Sequence, residues 1–465
     1  MSFDIKQNMT LVQIIESWAI TDNPMNSTDD ILNWIKKKNQ DVLVNIHKID
    51  YSYDGFWFYD KESGEICNRN NSFFQIKGLI HHVDGQAYEQ PIIIQDEIGY
   101  LGIICKEING VMYFLMQAKI EPGNINKIQI SPTIQATKSN FMQAHGGKVP
   151  AYLEYFSNSC HYEVVVDQIQ SEQSSRFYGK RNRNIIIVVD DDIEVKDSHC
   201  WMTLGQIKQL MAYDNLVNMD TRTVISCIPF SLRDYSYKEL THIKRLFTRE
   251  SFFNSIFLGD AGNRINKIYQ YINDIKMMDH SSVELTRLDL LKNWKMEDGS
   301  FISDNGEFSI VFCDIAIEGR EVSHWQQPLF EAKGSSIFAL MYRIINNTMQ
   351  FLVQTKYEVG CFDKIEIGPS VQMGPRNKPK NQVEKLLYKR IKTGEGIEFS
   401  GMFSEEGGRF YHEQNRNIIM KVNREDIDEL PSGYFWVDYQ TLNILIQFNN
   451  CLNIQLRNLL SILSL

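Results

Sequence analysis

The chain carries one polar pattern twice. Gln117, Lys119, Glu121 and Gly123, followed by Lys127, Pro132 and Gln135, return 237 residues later as Gln354, Lys356, Glu358, Gly360, Lys364, Pro369 and Gln372, with nine identities in nineteen positions. A second block, Ser171-Glu172, Arg176-Phe177-Tyr178 and Asn182-Arg183-Asn184-Ile185-Ile186, returns 233 residues later as Ser404-Glu405, Arg409-Phe410-Tyr411 and Asn415-Arg416-Asn417-Ile418-Ile419. Two copies of a fold can keep a similar core while exchanging apolar residues at constant volume. Packing gives no comparable reason to hold Lys, Glu, Arg, Asn and Gln in register. A polar site, or its remnant, is therefore expected once per copy.

The register extends well beyond these blocks. Trp57 pairs with Trp294, Pro91 with Pro328, Trp201 with Trp436, Asn218 with Asn453 and Arg222 with Arg457. A repeat of this length is a domain rather than a solenoid unit, and 465 residues exceed what one core usually supports. We expect a first repeat with N-terminal helices over 1–235, bearing the active site, a helical connector over 236–283, and a second repeat over 284–465. Helical patterning covers 8–40, broken at Asp22-Asn23-Pro24 and capped again at Ser27. Short β-rich runs follow from 42 to 113, separated by turn signals such as Asp84-Gly85 and Asn109-Gly110. His81-His82 reads as an edge strand. The segment 181–184 reads as an Arg-rich turn before a buried strand, and 202–213 as a closing helix. The fold class is α+β.

A formal charge of −10 argues against a nucleic-acid surface. An anionic ligand would need a local Arg/Lys cluster acting against that field. The eight cysteines are scattered without zinc spacing and, with no secretory leader visible, read as reduced cytoplasmic thiols. No run of apolar residues is long enough for a membrane span. Gly-rich dinucleotide turns, a P-loop and zinc-protease motifs are missing, so neither cofactor nor metal is expected.

Period-two spacing on a strand puts Gln117, Lys119 and Glu121 on one face. Their recurrence favours a functional face over a solvated one. Arg181, Arg183 and Asn184 offer planar and neutral donors suited to a pyrophosphate, beside aromatic Phe177 and Tyr178. His145, next to Gly146-Gly147, occurs only in the first copy and is a candidate acid or base.

These residues also carry a resemblance. Lys119-Ile-Glu121-Pro-Gly123-Asn124, Ser131-Pro-Thr-Ile-Gln135-Ala-Thr137-Lys-Ser139-Asn140, the Glu172 block through Asn184, Gly368-Pro369-Ser-Val-Gln372 and Asn218-Met-Asp220-Thr-Arg222 are similar to the NDP-hexose 2,3-dehydratases over nearly the full length. The family commonly has Gly-Ser-Trp-Phe after Ser-Glu-Gln, where this chain has Ser174-Ser175-Arg176-Phe177. The resemblance implies a tandem Nudix-like duplication without the metal-binding Nudix box, a homodimer, and a dTDP-linked 4-keto-6-deoxyhexose as substrate. It also implies a downstream NADPH-dependent 3-ketoreductase.

Such a reaction needs a base for the C3 proton, an acid for the C2 oxygen and a stabiliser of the C4 oxyanion. Lys119 is the candidate electrophile or base, and Glu121 or Glu172 the base or leaving-group acid. Tyr178 and His145 are further proton carriers. Gln117, Gln135, Thr137, Ser139, Asn140, Arg181, Arg183, Asn184 and Arg222 are the candidate substrate ligands. Lys356, Glu358, Arg409, Tyr411, Arg416 and Asn417 would form a second-copy pocket. The rival readings are a silent nucleotide-sugar-binding protein and, disfavoured by the missing metal box, a hydrolase.

Overall fold

Two turns of identical design set the frame. Asn109 and Gly110 both adopt positive φ (53° and 81°), as do Asn346 and Asn347 (49° and 55°). Consecutive left-handed residues give the turn whose twist matches paired strands. The first turn joins Gly99–Ile108 to Val111–Ile120, and the second joins Ile337–Ile345 to Thr348–Tyr357. The computed structural model describes every residue except 1, 24, 51–54, 143–147 and 320–321, with backbone alone for 2–8. Pro24 and His145-Gly146-Gly147 lie outside the described residues.

Each hairpin is the middle of a seven-stranded sheet. In the first half, Glu163–Ser171 pairs with Arg181–Val188, which runs parallel to Gly99–Ile108. His199–Met202 closes the far side against Val111–Ile120, and Ile128–Ser131 and Ile134–Ala136 extend the hairpin strands. The second half has the same order: Ile397–Ser404, Gln414–Lys421, Ile337–Ile345, Thr348–Tyr357 and Tyr434–Asp438. Even the register shift recurs, between Val164 and Val166 and between Ile397 and Phe399.

The outer sheets exchange strands. Val44–Ile49, from the first half, pairs with Phe308–Ile317 of the second. Ser282–Thr286 in turn pairs with Gln75–Val83 of the first. This corrects the expectation for His81. Its strand has Gln86–Ile94 on one side and Ser282–Thr286 on the other, so it is no edge, and the His81 ring stacks on Tyr357 at 5.0 Å.

The expected turn at 181–184 is also corrected. Arg181–Val188 is continuous strand, because its backbone is claimed by pairing on both sides. The alternation of that strand, rather than a loop, decides where each Arg and Asn points.

Three helices, Tyr237–Lys244, Glu250–Phe257 and Ala261–Met278, fill the expected connector. Glu250–Phe257 packs on strand Thr348–Tyr357, as Ser2–Ala19 does on Val111–Ile120. Met219–Ser226 and Ile454–Ile462, both almost wholly buried, pack against each other at the centre. The largest apolar cluster therefore runs through both halves, from Trp18 and Phe114 to Phe351 and Leu456. No described helix is long and apolar enough to cross a membrane.

Two backbone contacts lock the halves together. Gly123 N–H donates to the Gly407 carbonyl at 2.7 Å, and His412 N–H to the Gly123 carbonyl at 2.9 Å. Gly360 and Gly179 repeat this in the other direction, with Ser174 and Gly360 carbonyls accepting at 2.8 Å each. The repeated glycine is thus held by a close approach between halves.

Candidate active site

The repeated polar strand ends at a cavity of about 530 Å³. Lys119 lines it and donates Nζ to the Gln135 carbonyl at 2.8 Å. Glu121, one residue past the strand and buried, accepts from Gln135 Nε2 at 2.9 Å. Gln135 Oε1 accepts in turn from Asn218 Nδ2 at 3.0 Å, and Asn218 caps the helix Met219–Ser226 through Thr221 N–H. A rigid helix end therefore fixes the amide, and the amide fixes the carboxylate. The second half holds the same chain: Asn453 to Gln372 at 2.8 Å and Gln372 to Glu358 at 2.9 Å.

Opposite Glu121 sits the second block. Glu172 is buried and accepts from Asn182 Nδ2 at 2.7 Å, while its Oε2 has no hydrogen-bond partner among the described residues. Burial pushes its carboxyl up, against the pull of nearby Lys180 and Arg457. Lys180 lies within reach of Asn182 Oδ1 at 2.9 Å, and burial brings its ammonium down to about 8. Asp220, on the capped helix, is raised well above the carboxylate range by burial and by surrounding carboxylates.

Residues of the second half complete the lining. Arg409 stacks over the Phe73 and Phe74 rings at 4.3 and 4.4 Å and donates to Gln95 Oε1 at 3.0 Å. Gln327 donates Nε2 to the Gly408 carbonyl at 2.8 Å, and its Oε1 accepts from Trp325 Nε1 at 2.8 Å. Trp57, Tyr100 and Trp325 make the wall partly aromatic. An apolar wall with a few fixed polar groups is the usual make-up of a small-molecule site.

Of the residues singled out in sequence, Lys119, Glu121, Glu172, Gln135, Thr137, Ser139 and Asn140 line this cavity. Others do not. Gln117 accepts from Ser131 Oγ on the neighbouring strand, and Tyr178 faces outward. Arg181 lies over the Phe362 ring at 4.2 Å. Arg183 is committed to Asp167 by two contacts of 2.6 Å. Asn184 is buried and donates to the Asn182 carbonyl at 3.1 Å. Arg222 is fully buried and donates to the Ser404 carbonyl at 2.9 Å, so its guanidinium joins the halves instead of meeting solvent.

Arg409, expected in a second-copy pocket, belongs to this cavity because the two halves interlock. Its counterpart Arg176 reciprocally covers the Phe308 ring of the second half at 4.1 Å. Lys356, Glu358, Tyr411, Arg416 and Asn417 lie off the cavity. Glu358 is buried, Arg416 donates to Ser400 Oγ at 2.9 Å, Asn417 to the Asn415 carbonyl at 2.9 Å, and Tyr411 stacks on His412 at 4.2 Å.

The cavity also holds Lys180, Asn182, Asp220 and Glu406, of which sequence reasoning weighs Lys180 alone, for its change of charge against Glu413. A signal existed for three of them. They face Glu413, Gln455 and Gln173 in the other copy, so they mark where the repeat breaks its own pattern.

A model of the NDP-hexose 2,3-dehydratase family matches the chain over residues 28–228 and again over 265–463. The chain belongs to the NDP-hexose 2,3-dehydratase family. Three relatives carry the name dTDP-4-dehydro-6-deoxy-alpha-D-glucopyranose 2,3-dehydratase. That of Saccharopolyspora spinosa is 34% identical over 460 residues, covering 97% of this chain and 94% of its own. The protein from Amycolatopsis orientalis is 34% identical over 466 residues, covering 97% and 93%. The Streptomyces violaceoruber protein is 34% identical over 414 residues, covering 87% and 90%. An NDP-hexose 2,3-dehydratase is a hydro-lyase, and the cavity brings together a cation, several carboxyls and the amides that hold them.

Proposed function

We propose that this dehydratase removes water across C2 and C3 of a dTDP-linked 4-keto-6-deoxyhexose. The observation that carries the reading is the Asn218–Gln135–Glu121 chain beside Lys119, which fixes a carboxylate and an ammonium at the wall of one cavity. The C4 ketone acidifies the C3 proton. Glu121 takes that proton, and the C3–H electrons pass to the C4 oxygen as an enolate stabilised by Lys119. The enolate then expels the C2 hydroxyl, which leaves with a proton as water. The resulting enol tautomerises to a 3,4-diketone, the substrate of an NADPH-dependent 3-ketoreductase.

Lys148 and Asn140, at the cavity wall, are our choice for the diphosphate in place of Arg181 and Arg183. We read the chain as a tandem pair of Nudix-like domains acting as a cytoplasmic homodimer. The common strand order of the two central sheets supports the duplication.

Incubating the purified protein with dTDP-4-keto-6-deoxy-D-glucose tests the reaction by mass spectrometry. Loss of one water is expected. Release of TMP, or recovery of unchanged substrate, would overturn it.

A further inference from the structure

The two halves keep the same Lys, Glu, Gln and Asn frame, yet they differ at three positions around it, two of them buried and the third, Glu406, half-buried. Lys180, Asp220 and Glu406 surround the cavity, where the register places Glu413, Gln455 and Gln173 in the other half. Each change swaps charge or removes a titratable group. Glu406 differs from the other two in origin. It comes from the second half, and the contact of Gly123 with Gly407 brings its loop over the first half's strand end.

Its position is held by two glycines. A Cβ on Gly407 would stand 2.2 Å from Asn124 Oδ1 and 3.0 Å from Glu121 Cβ, so glycine lets the loop settle close against the strand end. A Cβ on Gly408 would lie 2.2 Å from Glu406 Oε1 and 3.6 Å from Glu121 Oε1. The two carboxylates therefore face one another across the side chain that Gly408 lacks. Arg409 and Lys180 are the cations facing Glu406, and Glu121, Glu172 and Asp220 are the facing carboxyls. Like charges so gathered do not all ionise together.

We propose that Glu406, supplied by the second half, is the catalytic acid that protonates the departing C2 hydroxyl. This rests on the dehydratase reading above. Glu121 gains the C3 proton, the C2–O bond breaks with its electrons going to oxygen, and Glu406 gives the proton that completes water. Glu406 is left as carboxylate beside protonated Glu121, and a proton passing between them restores the starting state. Burial raises the Glu406 carboxyl to about 7, so it holds a proton at neutral pH often enough to serve.

The test separates proton removal from water loss. In D2O, deuterium entering at C3 reports the enolate, and mass loss reports elimination. Glu406→Gln should bind dTDP within about twofold of the parent and exchange C3 at a similar rate, while elimination falls about 100-fold or more. Equal loss of exchange and elimination, or unchanged elimination, would overturn the assignment. Should the variant fail to fold, the parent protein still decides. Its elimination should decline as pH rises past 7 while C3 exchange persists, and a parallel decline of both would overturn the proposal. Absence of water loss from the parent at every pH would instead overturn the dehydratase reading, and this proposal with it.

Discussion

Gly123 donates its backbone N–H to the carbonyl of Gly407 at 2.7 Å, an approach that leaves no space for a side chain at 123. A Cβ there would fall 1.6 Å from the Phe410 carbonyl oxygen, and one on Gly360 would fall 1.8 Å from that of Phe177. Backbone on both sides means neither partner can swing away. Gly123→Ala should lose more than about 3 kcal/mol, beyond ordinary overpacking. Urea unfolding measures it. A variant as stable as the parent would show that the halves do not meet there.

Lys119 and Lys356 occupy matching places on matching strands, but only Lys119 lines the cavity with Asp220, Lys180 and Glu406. Lys119→Ala should lower turnover about 10²-fold or more, as removal of an oxyanion stabiliser does. Lys356→Ala should cost far less. Steady-state kinetics with thermal melts for both variants check this, and a larger loss at Lys356 would move the chemistry to the other half.

Arg222 looks like a phosphate ligand in sequence and a clamp in structure. It reaches the Ser404 carbonyl, while Arg457 reaches the Ser171 carbonyl in the opposite sense. Arg222→Met should destabilise the protein by about 1.5–3 kcal/mol, the range for a charged hydrogen bond. Its KM should stay put. A raised KM at unchanged stability would return Arg222 to the substrate site.

Glu366 is buried and accepts from Ser171 Oγ at 2.8 Å, and burial raises its carboxyl to about 7. Between pH 4.5, its unperturbed value, and about 7, the folded protein holds a proton there that the unfolded chain has released. This group therefore favours folding most below pH 4.5, and the benefit is lost as pH rises through 7. Glu366→Gln should flatten the stability profile across that window, by up to about 3 kcal/mol. Melting temperatures at several pH values test it, and an unchanged slope would contradict the assignment.

The hairpin at Asn109-Gly110, the cap at Ser27 and the matching frames were legible because each depends on residues close in sequence or repeated in register. Gln135 and Glu121 were legible for the same reason. Arg183 was misread because the choice between a phosphate and Asp167 is settled by strand pairing, which no local pattern announces. The register marked Glu406 as a break in the repeat, but where Glu406 and Arg409 sit was out of reach for a larger reason. Their place at the cavity follows from interlocking halves, a relation between residues nearly three hundred positions from Lys119.

The exchange of Val44–Ile49 for Ser282–Thr286 has an evolutionary reading. A half-length ancestor pairing with its twin could make every one of these reciprocal contacts, but each substitution would then strike two cavities at once. In a single chain that coupling is absent: Glu413 and Gln455 stand where the register places Lys180 and Asp220, so the two sides of the repeat differ while the contacts between them stay reciprocal.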